Sequence, residues 1–536
     1  MRADFAGMLI AVVSRVGGIS AAYRRRKPEE SVLYRVIQEN LSTFLERAAG
    51  WGSGRGLPTY VRQEFERYLD CGILANGFAR VRCGDCGYDS VVGFSCRGRG
   101  FCPSCMGRRM ADTAAHWVDH VLPPVPIRQW VLSFPREIRY ILMRDSTLLT
   151  RAHDLFIQEL LRYYNRQLLF IREGVEPGDW RYRKRLPWKA ETHGGALTAI
   201  QRFGSSLNAN PHLHTLSLDG VYVEIPETGK LHFVETPPPE REDLEQVLSR
   251  TKQRVERMLE RAGALLAGSR AEGGNLAAEP ADPSLMDELQ AASIQERKGP
   301  GEPWKRVEVP DRQKGRPYIP NDKPFTAEQD GWSIHAGVAL DGRDREKLER
   351  VSRYLLRPAF AEERLYRRPD GKVEYSLRKP RWDGGTRVVL EPLDFLAKLA
   401  ALVPPPRSHT VRYSGVLAPH HRFRSRVVPP ERPAAPTPEA CARENGPGPE
   451  EGDSDRPRRR KSRGRRKQTD WATLILRSLK LDVLSCPKCR GRMKVISTIT
   501  EPSTVRAILR SLGLSTEIPA RAPPRDPPQA EFDFVQ

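Results

Sequence analysis

Three sets of side chains in this sequence can do chemistry. Cys83-Gly-Asp-Cys86 and Cys102-Pro-Ser-Cys105 are two CxxC knuckles with fifteen residues between them. Two tight turns that each present two thiolates to one point can close tetrahedrally on a zinc ion, so this spacing predicts one structural site. Cys71 and Cys96 are then extra thiols, open to a second metal, to replacing a ligand, or to burial as small residues. Cys486-Pro-Lys-Cys489 is half a knuckle with no Cys or His after it in the chain. A complete local site is not expected there.

His212 and His214 flank Leu213 in NPHLHTLSLDG. On a strand, residues i and i+2 share a face, and Leu216 and Leu218 continue this one. Two neutral imidazoles on a partly buried face want a common partner. A divalent cation supplies one and a hydrogen-bonded core supplies another, and the spacing leaves both open. Tyr354 lies in LERVSRYLLRP, where Leu348, Val351 and Leu355 mark a buried helical stripe and Pro358 ends the helix. Tyr354 sits at the edge of that stripe with Arg353 and Arg357 nearby. Such a phenol either caps the core or serves as a nucleophile, held by a rigid helix beside phosphate-binding arginines. Tyr413 in VRYSGVLAP is the rival, next to a loop between Pro-rich segments.

The elements that must position these groups read as an α+β chain. Residues 30–122 form a helical and zinc-binding unit, with apolar residues at three- and four-residue steps from Val32 to Leu45. Residues 123–427 form a mixed unit, expected to hold a central antiparallel sheet flanked by helices. Its strands are RQWVLSF, GALTAIQRFG, PHLHTLSLDGVYVEI and WSIHAGVAL, and a long insertion, 267–331, has little apolar periodicity. A Pro-rich and basic linker (428–468), a small C-terminal helical unit (469–516) and a tail (517–536) follow, and residues 1–29 read as an N-terminal extension. A formal charge of +21 points to a polyanionic partner. Nucleic acid is favoured over a membrane, because no stretch approaches the roughly 20 apolar residues of a spanning helix. Arg97, Arg99, Arg108 and Arg109 beside Phe101 suit phosphate contact. Clustered cysteines suit zinc in a reducing cytoplasm, and nucleic-acid binding there implies association with the nucleoid.

Taken in order, the stretches FARVRCGDCGYDSVVGFSCRGRGFCPSCMGRRM, AIQRFGSSLNANPHLHTLSLDGVYVE, WSIHAGVAL, LERVSRYLLRPAFAEERL and HTVRYSGVLAPHHRFRSRVV resemble one group. They resemble the rolling-circle insertion-sequence transposases of the HUH (His-hydrophobe-His) tyrosine endonuclease superfamily, which have an N-terminal zinc-binding domain. The resemblance spans roughly residues 30 to 427 and implies nicking and joining of single-stranded DNA at element ends. By this likeness His212 and His214 hold Mg²⁺ or Mn²⁺, and Tyr354 attacks phosphorus to give a 5′-phosphotyrosine. Arg353 or Arg357 stabilises the phosphoryl charge. An HUH site has a third protein ligand, for which His335 in SIHAGVAL is the first candidate and Gln201 the second. Some members carry two tyrosines one helical turn apart; here the position one turn before Tyr354 is Arg350, which resembles the single-tyrosine branch. A non-catalytic zinc-containing nucleic-acid-binding protein and a decayed transposase copy are the alternatives.

Overall fold

The computed structural model describes residues 25–51, 54–173, 191–225, 228–265, 284–295, 324–380, 384–428, 471–479 and 482–525. Most of the N-terminal extension, most of the long insertion, the Pro-rich and basic linker and the end of the tail lie outside the described residues.

A six-stranded antiparallel sheet organises the centre. Its order is Val411–Gly415, Gly195–Phe203, Ala209–Leu218, Ile127–Ser133, Trp332–Leu340 and Thr326–Gln329. Alternation along the strands gives each face its own core. Trp130, Leu132, Ile200, Leu213 and Ile334 point to one face, where they pack with the long helices Ser146–Glu173 and Arg241–Arg261. Ile127, Leu197, Leu216 and Leu218 point to the other, against Trp117 and Val118 of one helix and Leu348 and Leu355 of another. These two helices are the zinc helix, Pro103–His120, and the tyrosine helix, Arg345–Leu355.

The tyrosine helix forms where its sequence signals place it. The Asp344 side chain accepts from the Lys347 amide at 2.9 Å, and the helix stops short of Pro358. Burying Leu348 and Leu355 contributes about 1.5–3 kcal/mol each. Arg345 fixes its start by donating to the Val118 carbonyl and, at 3.0 Å, to that of Leu122. The zinc unit is therefore no detached knob, since its last helix lies on the helix that carries Tyr354.

Several elements escape the hydrophobic pattern. The insertion includes a helix, Leu285–Ile294, with a Ser284–Asp287 capping box, and the edge strand Thr326–Gln329. The C-terminal unit is not purely helical. Between helices Trp471–Leu479 and Pro502–Ser511 it contributes a strand, Met493–Ile499, which pairs antiparallel with Phe78–Cys83 of the zinc hairpin. Its side chains also fill the N-terminal core, where Val505 and Leu509 pack with Leu74, Phe78 and Val91. Residues beyond it lie along the first helix, Val32–Ala49, where Gln38 donates to the Ala520 carbonyl at 2.6 Å.

Candidate active site and zinc centres

The eight described cysteines sort into two tetrads, Cys71–Cys96–Cys102–Cys105 and Cys83–Cys86–Cys486–Cys489. The single site expected on Cys83, Cys86, Cys102 and Cys105 is not formed. The cause is the hairpin Phe78–Cys83/Asp89–Gly93: Cys83 and Cys86 sit at its tip, while Cys71 and Cys96 flank its base. Five strand steps at about 3.3 Å hold the two ends about 16 Å apart, too far for one ion. Cys102 and Cys105, at the start of the zinc helix, join the base pair, so Cys71 and Cys96 complete a tetrad rather than standing as spare thiols. At the tip the missing half is the C-terminal knuckle, delivered by the pairing of Cys83 with Met493.

The donor sets fit zinc. Sulfur separations are 3.4 Å (Cys96–Cys105), 3.6 Å (Cys71–Cys102) and 3.8 Å (Cys71–Cys105) at the base, and 3.5 Å (Cys83–Cys489) and 3.6 Å (Cys86–Cys486) at the tip. Four thiolates at Zn–S distances of about 2.3 Å stand about 3.8 Å apart on the edges of a tetrahedron. None of the eight is in a disulfide. With no carboxylate or open position in either set, both are structural centres, not catalytic ones.

His212 and His214 lie on the strand Ala209–Leu218, on the face covered by the zinc and tyrosine helices. Their rings are 4.8 Å apart between centroids, and the Tyr354 ring is 6.4 Å from that of His214. The Arg357 guanidinium stands over the Tyr354 ring at 4.6 Å. Both imidazoles are buried. Burial, first of all, lowers the pKa of His212 to about 4 and that of His214 well below its ordinary value, so both are neutral at neutral pH. The Arg357 charge pushes both in the same direction. His212 Nδ1 donates to the Asn210 carbonyl at 2.8 Å, which fixes the tautomer that leaves the lone pair on Nε2. His214 Nδ1 is 3.2 Å from Gln129 Nε2.

Three further atoms here are buried without a hydrogen-bond partner: His214 Nε2, Gln201 Oε1 and Asn210 Oδ1. Gln201 is directly opposite His212 in the ladder, and its Nε2 donates to the Leu355 carbonyl at the end of the tyrosine helix at 2.6 Å. His335 shares the face but not the location. It pairs with Val131, which pairs with His214. Two strand spacings of about 4.8 Å therefore separate His335 from His214. The three histidines do not make a group of close ligand atoms; among the described residues only the two cysteine tetrads do. The strand bulges after His335, whose ring leans over Gly337, where a Cβ would come within 2.8 Å of Nε2.

The arginines divide. Arg357 faces the histidines. Arg353 turns away, donating to the Ser478 carbonyl at 3.2 Å. Arg97 is exposed, Arg109 is exposed, Arg99 donates to the Ser408 carbonyl at 2.5 Å, and Arg108 is half-buried with Nε unpartnered. Arg139, which sequence reasoning passed over, contributes a second positive charge toward His212. Tyr413, the rival nucleophile, lies on an edge strand with its hydroxyl accepting from Trp117 Nε1 at 3.2 Å.

Comparison with known families supplies the class. A transposase family model (Y2_Tnp) matches residues 195–425, and a transposase zinc-binding domain model matches residues 36–134. The chain belongs to the insertion-sequence transposases with a zinc-binding domain. The two matches together span more than half of it. No curated protein and no solved structure matches. The zinc-domain match covers all of the base tetrad and half of the tip tetrad. This transposase completes the second centre with a C-terminal knuckle that lies outside both matched segments. A transposase acts on DNA, in keeping with the net charge of +21. No helix among the described residues is long and apolar enough to cross a membrane.

Proposed function

We propose that this transposase nicks and rejoins single-stranded DNA in rolling-circle fashion through attack by Tyr354. The observation that carries the reading is the set of unpartnered buried acceptors around two neutral imidazoles, one helix away from a tyrosine stacked on an arginine. Buried polar atoms are normally satisfied, and a cluster of lone pairs lacking donors fits a cation. His212 Nε2 and His214 Nε2 are the first two ligands. With the Gln129 amide turned so that its Oε1 accepts from His214 Nδ1–H, His214 Nε2 carries its lone pair inward. Gln201 Oε1 is the third ligand, ahead of His335, because it is opposite His212 and lacks a donor. Bound Mg²⁺ or Mn²⁺ would polarise and position the scissile phosphate.

The chain's own groups do the rest. The Tyr354 oxygen bonds to phosphorus, and the bond from phosphorus to the 3′ oxygen breaks. The phenol proton goes to solvent and the 3′ oxygen takes up a proton, leaving a 5′-phosphotyrosine and a free 3′-OH. Arg357, with Arg139 near His212, stabilises the negative charge that builds on the phosphoryl oxygens. Attack by a 3′-OH on the phosphotyrosine reverses the step and joins strands without an energy source.

The test is a denaturing gel of the purified chain with Mn²⁺ and an end-labelled single-stranded oligonucleotide carrying the element end. A covalent adduct to the 5′ side should form, and should vanish with a chelator or in Tyr354→Phe. An undiminished Tyr354→Phe adduct overturns the nucleophile. For the third ligand, Gln201→Ala should raise the Mn²⁺ concentration for half-maximal nicking by about 10–100-fold, while His335→Ala leaves it unchanged. The reverse pattern would restore His335.

A further inference from the structure

A cavity opens between the zinc helix and the catalytic sheet, and four arginines line it. Arg99 and Arg109 come from the zinc unit, Arg202 from the strand Gly195–Phe203, and Arg357 from the segment after the tyrosine helix. No Asp or Glu is among its described lining residues. Arg202 is 6% exposed, its Nη2 donates to the Met143 carbonyl at 3.3 Å, and its Nε is buried with no partner. Its electrostatic neighbour is the Tyr60 phenol, not a carboxylate. The pKa of Arg99 is pushed down, first by burial and then by the like charge of Arg109. The carboxylate that opposes this shift, Glu64, accepts the Gly100 amide at 2.6 Å. A buried guanidinium without an anion is costly, and a bound anion would relieve that cost.

We propose that this cavity is a phosphate subsite, anchored by Arg202 and closed by Arg99 and Arg109, that takes a backbone phosphate flanking the scissile one. The identity of the strand rests on the function proposed above; the anion site itself does not. A DNA strand is favoured over free phosphate because Gln201 and Arg357 belong both to the cavity and to the His–Tyr cluster. The apolar lining, including Phe203, Leu356 and Met106, offers surface to a sugar and base. One strand would thus be gripped by the zinc unit and the catalytic sheet together.

The test is fluorescence anisotropy of a single-stranded oligonucleotide against full-length Tyr354→Phe protein in chelator, across a range of NaCl concentrations. This background removes nicking and the catalytic metal from the readout. Arg202→Gln and, separately, Arg109→Gln should each weaken binding about ten-fold and reduce the slope of log K against log salt by about 0.7, the loss of one phosphate contact. Arg109 is exposed, so its variant keeps the test valid should Arg202→Gln misfold. Unchanged affinity and slope in Arg109→Gln and in folded Arg202→Gln overturn the proposal. Calorimetry with inorganic phosphate separates the sources: Arg202-dependent phosphate binding with unchanged oligonucleotide affinity overturns the DNA assignment. Absence of a covalent adduct in the natural chain, with the salt-slope effect intact, sinks the nicking reading and leaves the pocket standing.

Discussion

A Cys486→Ser, Cys489→Ser chain is expected to hold one zinc ion where the natural chain holds two. The C-terminal knuckle supplies half the thiolates of the tip centre and nothing to the base centre, so the loss is of one whole ion. Two thiolates and two hydroxyls are a poor zinc set, and structural zinc contributes about 10–16 kcal/mol of apparent binding energy in small domains. What depends on it is the junction of chain segments some 400 residues apart: the Cys83–Met493 register, and the packing of Val505 and Leu509 on Phe78 and Val91. The helix Trp471–Leu479 follows, since its Arg477 bridges Asp119 of the zinc helix and Glu349 of the tyrosine helix. Metal analysis of the purified chain checks the ion count, and limited proteolysis checks release of residues after 471. Cys96→Ser should instead disturb the base centre and spare the C-terminal protection. Two ions retained in the double variant would contradict the split of the cysteines.

The second large effect is catalytic. His212→Ala, His214→Ala should lower the rate of adduct formation by about a thousand-fold or more. A divalent ion on the scissile phosphate is worth several kcal/mol of transition-state stabilisation, and about 4 kcal/mol is a factor of about 10³. Removing both ligands forfeits that while leaving Arg357 over Tyr354. The variant should fold, because each imidazole makes one hydrogen bond, to the Asn210 carbonyl and to Gln129, and alanine forfeits little beyond these and packing. Single-turnover nicking at saturating Mn²⁺, read beside a thermal melt, checks both halves. A fall of only a few-fold would mean that the histidines are core residues and that the arginines carry the chemistry.

Much of this was legible in the residues, and the failures have physical causes. The four central strands were legible, although PHLHTLSLDGVYVEI divides into Ala209–Leu218 of the central sheet and Gly220–Glu224 of another, and period-two geometry put His212 and His214 on one face. Pro358 bounded the tyrosine helix at its C-terminal end, because breakers act locally. The cysteine partition was missed because counting residues between knuckles ignores the shape of the chain between them. FARVRC and DSVVG are strand-like, and a hairpin of that length holds its tip away from its base. The signal for the composite centre was present: CPKC precedes MKVISTI, a strand, as CGDC precedes one. A pairing across 400 residues has no local signature, so that likeness was the available clue. Gln201 is singled out only by the ladder register that puts it opposite His212, which residue spacing alone does not give. His335 shares the face of His212 and His214 but stands two strand spacings from His214, a distance that only the sheet order reveals.

The central claim is that Tyr354 is the residue that becomes joined to DNA. It is tested most directly by forming the adduct with Mn²⁺, digesting both protein and DNA, and locating the nucleotide-bearing peptide by mass spectrometry. The added mass of a 5′-phosphate-linked nucleotide should fall on Tyr354. Its appearance on Tyr413, whose hydroxyl is engaged by Trp117, or on any serine, would contradict the account.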